Sequence, residues 1–596
     1  RDLVRSRGLG DVYKRQGRYV IVFNGEIYNH LKLRIELEKQ GRSFNWIGHS
    51  DTETLLACFE TWGVEDTLVR SIGTFSFALW DKNISTLMLA RDRFGEKPLY
   101  YGWVGDNFLF GSELKAIKSH PSFHSNIDRN ALCLFLRLNY IPAPYSIYEG
   151  VKKLLPGNLL SISLRHPEPK IKAFWSGIDA SLKSKSDPFI GSFGDAVSSL
   201  ETLLKDAVSQ QMISDVPLGA FLSGGVDSST IVSMMQAQSM KPIKTFTIGF
   251  HDEMLNEAKQ AKAISTHLGT EHNELYVTAA DIISVIPHLS NLYDEPFADS
   301  SQIPTFLVSS LAQKKVKVSL SGDGGDELFA GYNRHQITQN AWKNILSIPT
   351  PIKKLSSKVI TQISPEKWNH IFKIIEKVTP PIRGRWSNIG DLLHKGAGVM
   401  LSKSDADLYD NLTSFWRDPS SVVINGKEPH NNISKSVFEL DQFSTSEQMM
   451  LLDSITYLSD DILCKVDRAS MGVSLESRSP FLDHRVFDFA WKLPIEFKLY
   501  KGGSKRVLRE VLYRHVPKEL IESRKKGFGI PIDKWLRGPL REWAEDLLDE
   551  SQLKVDGYFN PELIRQKWSE HLLGKRNWAG HLWSILMFQL WLRDQK

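Results

Sequence analysis

The feature that most constrains this chain is the octapeptide LSGGVDSS, Leu222–Ser229. It follows the short apolar stretch GAF and precedes DSSTIVSMMQAQ, whose apolar spacing predicts a helix, so it reads as a strand-to-helix turn. Two adjacent glycines, Gly224 and Gly225, permit a turn tighter than side chains usually allow. Consecutive backbone N–H groups, the hydroxyls of Ser223, Ser228 and Ser229, and the helix N-terminus would together cradle a phosphate. The segment lacks the lysine of the Walker loop, GxxxxGK[ST]. It carries Asp227 instead, a carboxylate able to hold Mg²⁺, a cation that prefers oxygen ligands. The plainer alternative is a Gly-Ser turn whose serine caps a helix.

A second glycine-rich segment, SGDGGDELFAGY (Ser321–Tyr332), follows the apolar run KVKVSL and sets Asp323, Asp326 and Glu327 within five residues. Such a density of like charge is unfavourable unless a cation lies near, the alternative being an exposed acidic turn. Ahead of both loops, AVSSLETLLKDAVSQQMI (Ala196–Ile213) has the spacing of an amphipathic helix, and between them KTFTIGF (Lys244–Phe250) reads as a strand. This alternation predicts a doubly wound parallel sheet with ligands at the carboxyl ends of its strands. From about Ala341 onward the pattern is helical. The most apolar stretch, Trp578 to Trp591, is interrupted by His581 and Gln589 and reads as a buried terminal helix, since a membrane span needs ~20 apolar residues.

The first part of the chain is patterned differently. RYVIVFNGEIYN reads as a strand ending in a turn, and HLKLRIELEKQG as a helix stopped by Gly41. Thr74–Asp92 reads as two strands around a DKN turn, and PLYYGWVGDNFLFGSE as a second hairpin around Gly105 and Asp106. Strands and helices in runs predict an α+β layered domain. Residues 1–16 show no period, and DVYKRQ (Asp11–Gln16) reads as a translated adapter, a non-native scar excluded from fold reasoning. Pro167, Pro169 and Pro188 among Ser, Lys and Gly place a linker at 166–195. The expected domains are therefore 17–165 and 196–596. A balance of 74 basic against 69 acidic residues, net +5 over 596 residues, gives no reason to invoke nucleic acid. The three cysteines, Cys58, Cys133 and Cys464, are too few and too scattered for a disulfide framework or structural zinc site, which suggests a reducing, cytoplasmic setting.

LSGGVDSS resembles the pyrophosphate-binding loop of the ATP pyrophosphatase superfamily. Together with SGDGGDELFAGY and DILCKVDRASMGVSLESRSPFLDHR (Asp461–Arg485), it makes the chain similar to the glutamine-dependent asparagine synthetase family from about Gly17 nearly to the end. The resemblance implies an Ntn hydrolase-like glutaminase domain followed by an ATP pyrophosphatase domain with a helical extension. It implies ATP contacts at Leu222, Ser223, Gly224, Gly225, Asp227, Ser228, Ser229, Ile248, Ser321 and Gly322. It further implies Mg²⁺ on Asp227 and Asp326, a lysine at Lys505 that neutralises phosphate charge, and an acceptor site at Asp323, Asp467 and Arg468. Asp323 stands where the best-known members carry a glutamate, which leaves the acceptor open. Glu476 and Arg478 read better as a structural pair. FNGEIYN (Phe23–Asn29) and GHSDTE (Gly48–Glu53) resemble the glutamine-binding segments of class II amidotransferases, which carries glutamine recognition to Asn24, Gly25, Glu26 and Asp51, with Asn24 and Gly25 as oxyanion donors.

In that family the glutaminase nucleophile is an N-terminal cysteine. It does not occur in this sequence, where Cys58, Cys133 and Cys464 all fall in helical patterns, and the family's preceding arginine-bearing segment is absent too. The expectation is a first domain short of a few dozen residues and inactive toward glutamine. The implied chemistry is attack of aspartate on ATP to give an acyl-adenylate and pyrophosphate, then attack by nitrogen, drawn from glutamine in the intact protein and from ammonia in this truncated chain, with AMP leaving. Two rivals stay open: the same chemistry on another carboxylate, by sugar-acid amidation or ring closure, and a non-catalytic scaffold that kept the fold. The partners implied are small molecules, with no nucleic acid and no membrane, and a homodimer is left open.

Overall fold

Apolar runs rich in Val, Ile, Phe and Tyr produce the strands of the first domain, and the strands produce two stacked sheets. The computed structural model describes residues 11–15, 17–40, 44, 46–250, 257–337, 342, 345, 347–378, 389–429, 432–522 and 530–595. A six-stranded antiparallel sheet has the order β1-β2-β3-β4-β8-β9, formed by Asp11–Arg15, Tyr19–Ile27, Gly73–Asp81, Thr86–Arg91, Asn158–Ser163 and His166–Ala173. A three-stranded sheet has the order β6-β5-β7, formed by Asn107–Gly111, Tyr100–Val104 and Val151–Lys153. Helices His30–Lys39 and Asp51–Trp62 bury Leu33, Leu37, Leu55 and Phe59 against Ile21, Phe75 and Phe77 on one face of the large sheet. Ala78, Leu89 and Leu160 meet Leu99 and Tyr101 on the other. β3 is covered on both sides, which accounts for its apolar stretch FSFALW, interrupted only by the buried Ser76. Both expected hairpins are present, while Gly41, the expected helix stop, lies outside the described residues.

Two segments left out of the expected domains are folded. Asp11–Arg15, excluded from fold reasoning as a scar, forms the edge strand β1, paired antiparallel with β2 from Asp11↔Phe23 to Arg15↔Tyr19. The segment 166–195, read as a linker, is mostly folded. His166–Ala173 is strand β9, paired with β8, and Gly177–Ser186 is a helix. Pro167 and Pro169 occupy an exposed edge strand, where no ladder partner needs their missing N–H, and Pro188 follows the helix. Gly177 packs against Ile455 and Trp175 against Phe487, so the end of this segment already belongs to the second domain's packing.

The second domain holds the expected parallel sheet, in the order β12-β11-β10-β13-β14: Glu271–Val277, Lys244–Phe250, Leu218–Phe221, Val318–Leu320 and Glu476–Arg478. The chain runs outward from β10 through β11 to β12, then returns to add β13 and β14 on the opposite side of β10. The carboxyl ends of β10 and β13 therefore flank the topological switch point, where open α/β sheets bind ligands. Helix Ala579–Arg593 is buried along most of its length, with Trp583, Leu586 and Trp591 at or below 1% exposure. Among the described residues no helix is long and apolar enough to cross a membrane.

The domains meet through a charged turn after β4. The Asp92 carboxylate accepts the backbone N–H groups of Phe75 (3.2 Å), Phe94 (3.1 Å), Glu96 (2.9 Å) and Lys97 (2.9 Å). Arg91 donates to the carbonyls of Lys97, Leu154 and Gly95. Gly95, at φ +71°, lies so close to the second domain that a Cβ there would fall 2.6 Å from Ser459 Oγ. Asp92→Ala would strand these buried donors; we expect a loss of about 3 kcal/mol or more, read as a lowered urea midpoint. A midpoint within error of the parent would contradict this role for Asp92.

Candidate active site

Leu222–Ser229 leaves β10 and enters helix Val226–Ala237. Gly224 has φ +83° and Gly225 caps the helix, so the turn has the conformation that its sequence predicts. Ser223 and Ser228 hydroxyls lie 3.0 Å apart and share a hydrogen bond, and the N–H of Gly225 donates to Ser223 Oγ at 3.3 Å. The loop is thus braced by its own serines. Ser229, expected among the nucleotide contacts, is instead wholly buried, so its hydroxyl faces no solvent. Leu222 and Ile248, expected among the ATP contacts, are also buried, in separate core clusters.

The Ser321–Tyr332 segment leaves β13 directly alongside. Gly322 touches the first loop: a Cβ there would meet Ser228 N at 2.7 Å and Asp227 Cβ at 2.9 Å. A Cβ on Gly325 would meet Asp227 Oδ1 at 2.5 Å, and one on Gly331 would overlap Asp326 Oδ1 at 1.8 Å. These glycines are therefore spacing devices that let two acidic loops interlock. Ser321 is held from the other side, its N–H donating to Arg478 O at 2.9 Å and its hydroxyl bonding Ser479 Oγ at 2.9 Å.

Lys505 closes the junction. It sits at φ +57°, an uncommon conformation for a residue with a side chain, and its N–H donates to Phe329 O at 3.1 Å. Its buried ammonium ion-pairs with Asp227 and lies 2.5 Å from Asp326. Burial alone would lower the lysine pKa; the two carboxylates outweigh it and raise the pKa, so Lys505 is a charged group. Asp323 is half-buried, and its withdrawal from water pushes its carboxyl above the usual range, against the pull of Ser321 and Lys465. Glu327 is pushed up to about 8 by burial and by Asp326, and accepts the Tyr332 hydroxyl at 2.5 Å. At neutral pH it is mostly a neutral acid, outside the charge balance of the loop.

Among the described residues no group of three or more His, Cys, Asp or Glu side chains is disposed to hold a metal ion. Asp227 and Asp326 supply hard oxygen donors on one ammonium-sized spot, too few for Mg²⁺ alone but suited to an ion whose remaining ligands are phosphate oxygens and water. The pair fits Mg²⁺ carried on a nucleotide.

One continuous helical run, Thr445–Leu452, Asp453–Leu463 and Cys464–Met471, forms the wall beyond these loops, its middle part wound as a π-helix. Asp467 and Arg468 do not pair with each other. Asp467 Oδ1 lies 2.7 Å from Lys97 Nζ, whereas Arg468 pairs with Glu113 (3.0 Å) and Asp294 (3.2 Å) and donates to Ser112 O. Lys465 binds Asp299 (2.6 Å) and Ser301 Oγ (2.8 Å).

The glutamine-type segments lie on the same interface. Asn24 donates to Ser112 Oγ at 3.2 Å, and Glu26 lies 3.7 Å from Arg478. Gly25 is part of β2, and a Cβ on it would strike Thr74 O at 2.1 Å. Asp51 accepts the N–H of Ile27 (2.9 Å) and of Thr52 (2.7 Å), which ties β2 to the start of the following helix. Glu476 and Arg478 do pair, at 2.7 Å, and both belong to β14. Sequence reasoning missed Lys97, Asp294 and Asp299. The signal for Lys97 was present in RDRFGEKPLYY, where a dense charge run leads straight into a buried strand.

The family model described as "Asparagine synthase" matches residues 199–593, and "Glutamine amidotransferase domain" matches 4–175. "Asparagine synthetase [glutamine-hydrolyzing] 1" of Bacillus subtilis is 33% identical over 576 residues, covering 96% of this chain and 85% of that protein. "Asparagine synthetase [glutamine-hydrolyzing] 3" of the same organism is 28% identical, covering 86% and 75%. "Amidase chyE" of Penicillium rubens is 26% identical, covering 90% and 80%. With an amidotransferase-type layered domain joined to a parallel-sheet nucleotide domain, the chain belongs to the asparagine synthase family of ATP-dependent, amide-forming ligases.

Proposed function

We propose that this chain makes asparagine from aspartate, ATP and ammonia at the junction of the loops Leu222–Ser229 and Ser321–Tyr332. The observation that carries the reading is Lys505, buried between Asp227 and Asp326 at the switch point of the parallel sheet. ATP would lie across the first loop, its phosphates toward the backbone N–H groups of Gly224–Asp227 and the hydroxyls of Ser223 and Ser228. Mg²⁺, held by Asp227 and Asp326 when bound with ATP, would neutralise phosphate charge. Lys505 would then turn from its carboxylate partners to the phosphate oxygens, where charge grows as the acceptor carboxylate attacks the α-phosphorus. The acceptor would sit between Asp323 and the wall carrying Asp467 and Arg468. Ammonia displaces AMP from the resulting acyl-adenylate and loses a proton, yielding the amide.

Ammonia is the nitrogen source proposed for the chain as given, because its thiols are poor nucleophiles. Cys58 and Cys133 are buried, and burial pushes Cys133 and Cys464 up to about 11. Asn24, Gly25, Glu26 and Asp51 would still bind glutamine. One observation keeps a second acceptor in play: Asp323 is a methylene shorter than glutamate and leaves room for a carboxylate other than aspartate.

Two outcomes are expected. With ATP, Mg²⁺ and ammonia, aspartate should yield AMP, pyrophosphate and asparagine in equal amounts, and Lys505→Met should lower that rate by about 10²–10³-fold. AMP from another carboxylate but not from aspartate would move the acceptor while keeping the chemistry. Gly322→Ala, which forces the two loops apart, should cut AMP formation by about 10²-fold in a protein that still folds. Unchanged turnover in that variant would contradict the interlocked-loop geometry.

A further inference from the structure

The turn that carries Lys97 belongs to the amidotransferase half, yet its side chain ends in the synthetase half. Its backbone is fixed twice: the Asp92 carboxylate takes the N–H groups of Glu96 and Lys97, and the Arg91 guanidinium takes the carbonyls of Gly95 and Lys97. Gly95 seats the turn on the wall helix beside Ser459. From that platform the ammonium reaches Asp467 Oδ1 at 2.7 Å, with the two side chains only 6% and 11% exposed. The other acidic groups around it are Glu96 and Glu476, and Glu96 in turn feels Asp323. Glu476 lies on β14 beside β13, whose carboxyl end opens into the Ser321–Tyr332 loop. Lys97 is thus a cation placed where the wall helix, the last strand and the acidic loop converge.

A purely structural ion pair is the simpler alternative, but a buried pair is weak evidence for stability, since desolvation offsets most of the attraction. Such a pair does hold its members in one geometry. The neighbouring wall cations are engaged elsewhere, Lys465 by Asp299 and Arg468 by Asp294 and Glu113. Lys97 is the partner that sets where the Asp467 carboxylate points.

We propose that Lys97 is a positioning residue for amide synthesis: by holding Asp467, the first domain sets the wall against which the acceptor is bound. This rests on the function proposed above. Its consequence is that synthesis from free ammonia, which needs no chemistry from the glutamine site, still depends on a residue of the amidotransferase half.

The test uses the full chain with saturating ATP, Mg²⁺ and ammonia, and follows AMP release against aspartate concentration. Lys97→Met should raise KM for aspartate by about 10-fold or more, with kcat within about 3-fold and KM for ATP within about 2-fold of the parent. Lys97→Arg, which keeps the cation, should return KM for aspartate to within about 3-fold. Lys97→Met combined with Asp467→Asn removes the unpaired buried charge and should be no worse than the more impaired single variant, as for two groups acting as one unit. If Lys97→Met alone does not fold, this double variant is measured in its place and should show the same rise. The proposal is overturned if KM for aspartate stays at the parent value, if KM for ATP rises in step with it, or if the two substitutions add independently. A parent that forms no AMP from any carboxylate would sink the proposed function and the positioning role together; an active parent with an indifferent Lys97→Met sinks only the second.

Discussion

Everything at the junction of the two loops depends on Lys505. Two carboxylates, Asp227 and Asp326, are brought together from different strand-to-helix turns, an arrangement that like-charge repulsion opposes. The buried ammonium makes it tolerable, and Gly322, Gly325 and Gly331 make it possible by leaving no Cβ in the way. The cost of burying the lysine is met by the same two carboxylates, so each member of the trio is stable only in the presence of the others. A site built this way is poised rather than satisfied. In the proposed reaction, phosphate oxygens would take the lysine from the carboxylates, which would then hold the divalent cation.

The contact between the domains follows a related logic. Arg468 answers Glu113 and Asp294, Lys97 answers Asp467, and Arg478 faces Glu26. Such pairs contribute little net stability, because desolvation consumes most of the Coulombic gain, but they discriminate strongly against other relative placements of the groups. The segment expected to bind glutamine, Asn24 to Glu26, therefore leans on Arg468 through Ser112 and on Arg478 directly. Arg478 in turn supplies the carbonyl that holds Ser321 beside Gly322. The two halves share a wall rather than merely a chain.

Much of this was legible in the sequence because the constraint was local. LSGGVDSS specifies a turn that few residue types can make, and the strand–loop–helix pattern around it specifies the sheet type. What escaped detection depends on distant partners. β14 is three residues, Glu476–Arg478, too short for any period, and becomes a strand only because β13 offers an open edge. β9 is exposed and carries prolines, so it has the composition of a linker, and its pairing with β8 makes it a strand. Ser229 looked like another cradle hydroxyl, but the helical rotation after Gly225 turns it into the core. Asp467 and Arg468, adjacent in sequence and both expected in the acceptor site, are divided between Lys97 and the Glu113–Asp294 pair.

The central claim is that the interlocked loops direct attack to the α-phosphorus of ATP, and the most direct measurement is exchange of labelled pyrophosphate into ATP. With aspartate and Mg²⁺ present and ammonia omitted, label should enter ATP at a rate that requires aspartate. Release of ADP and phosphate instead, or exchange indifferent to the carboxylate, would contradict the account.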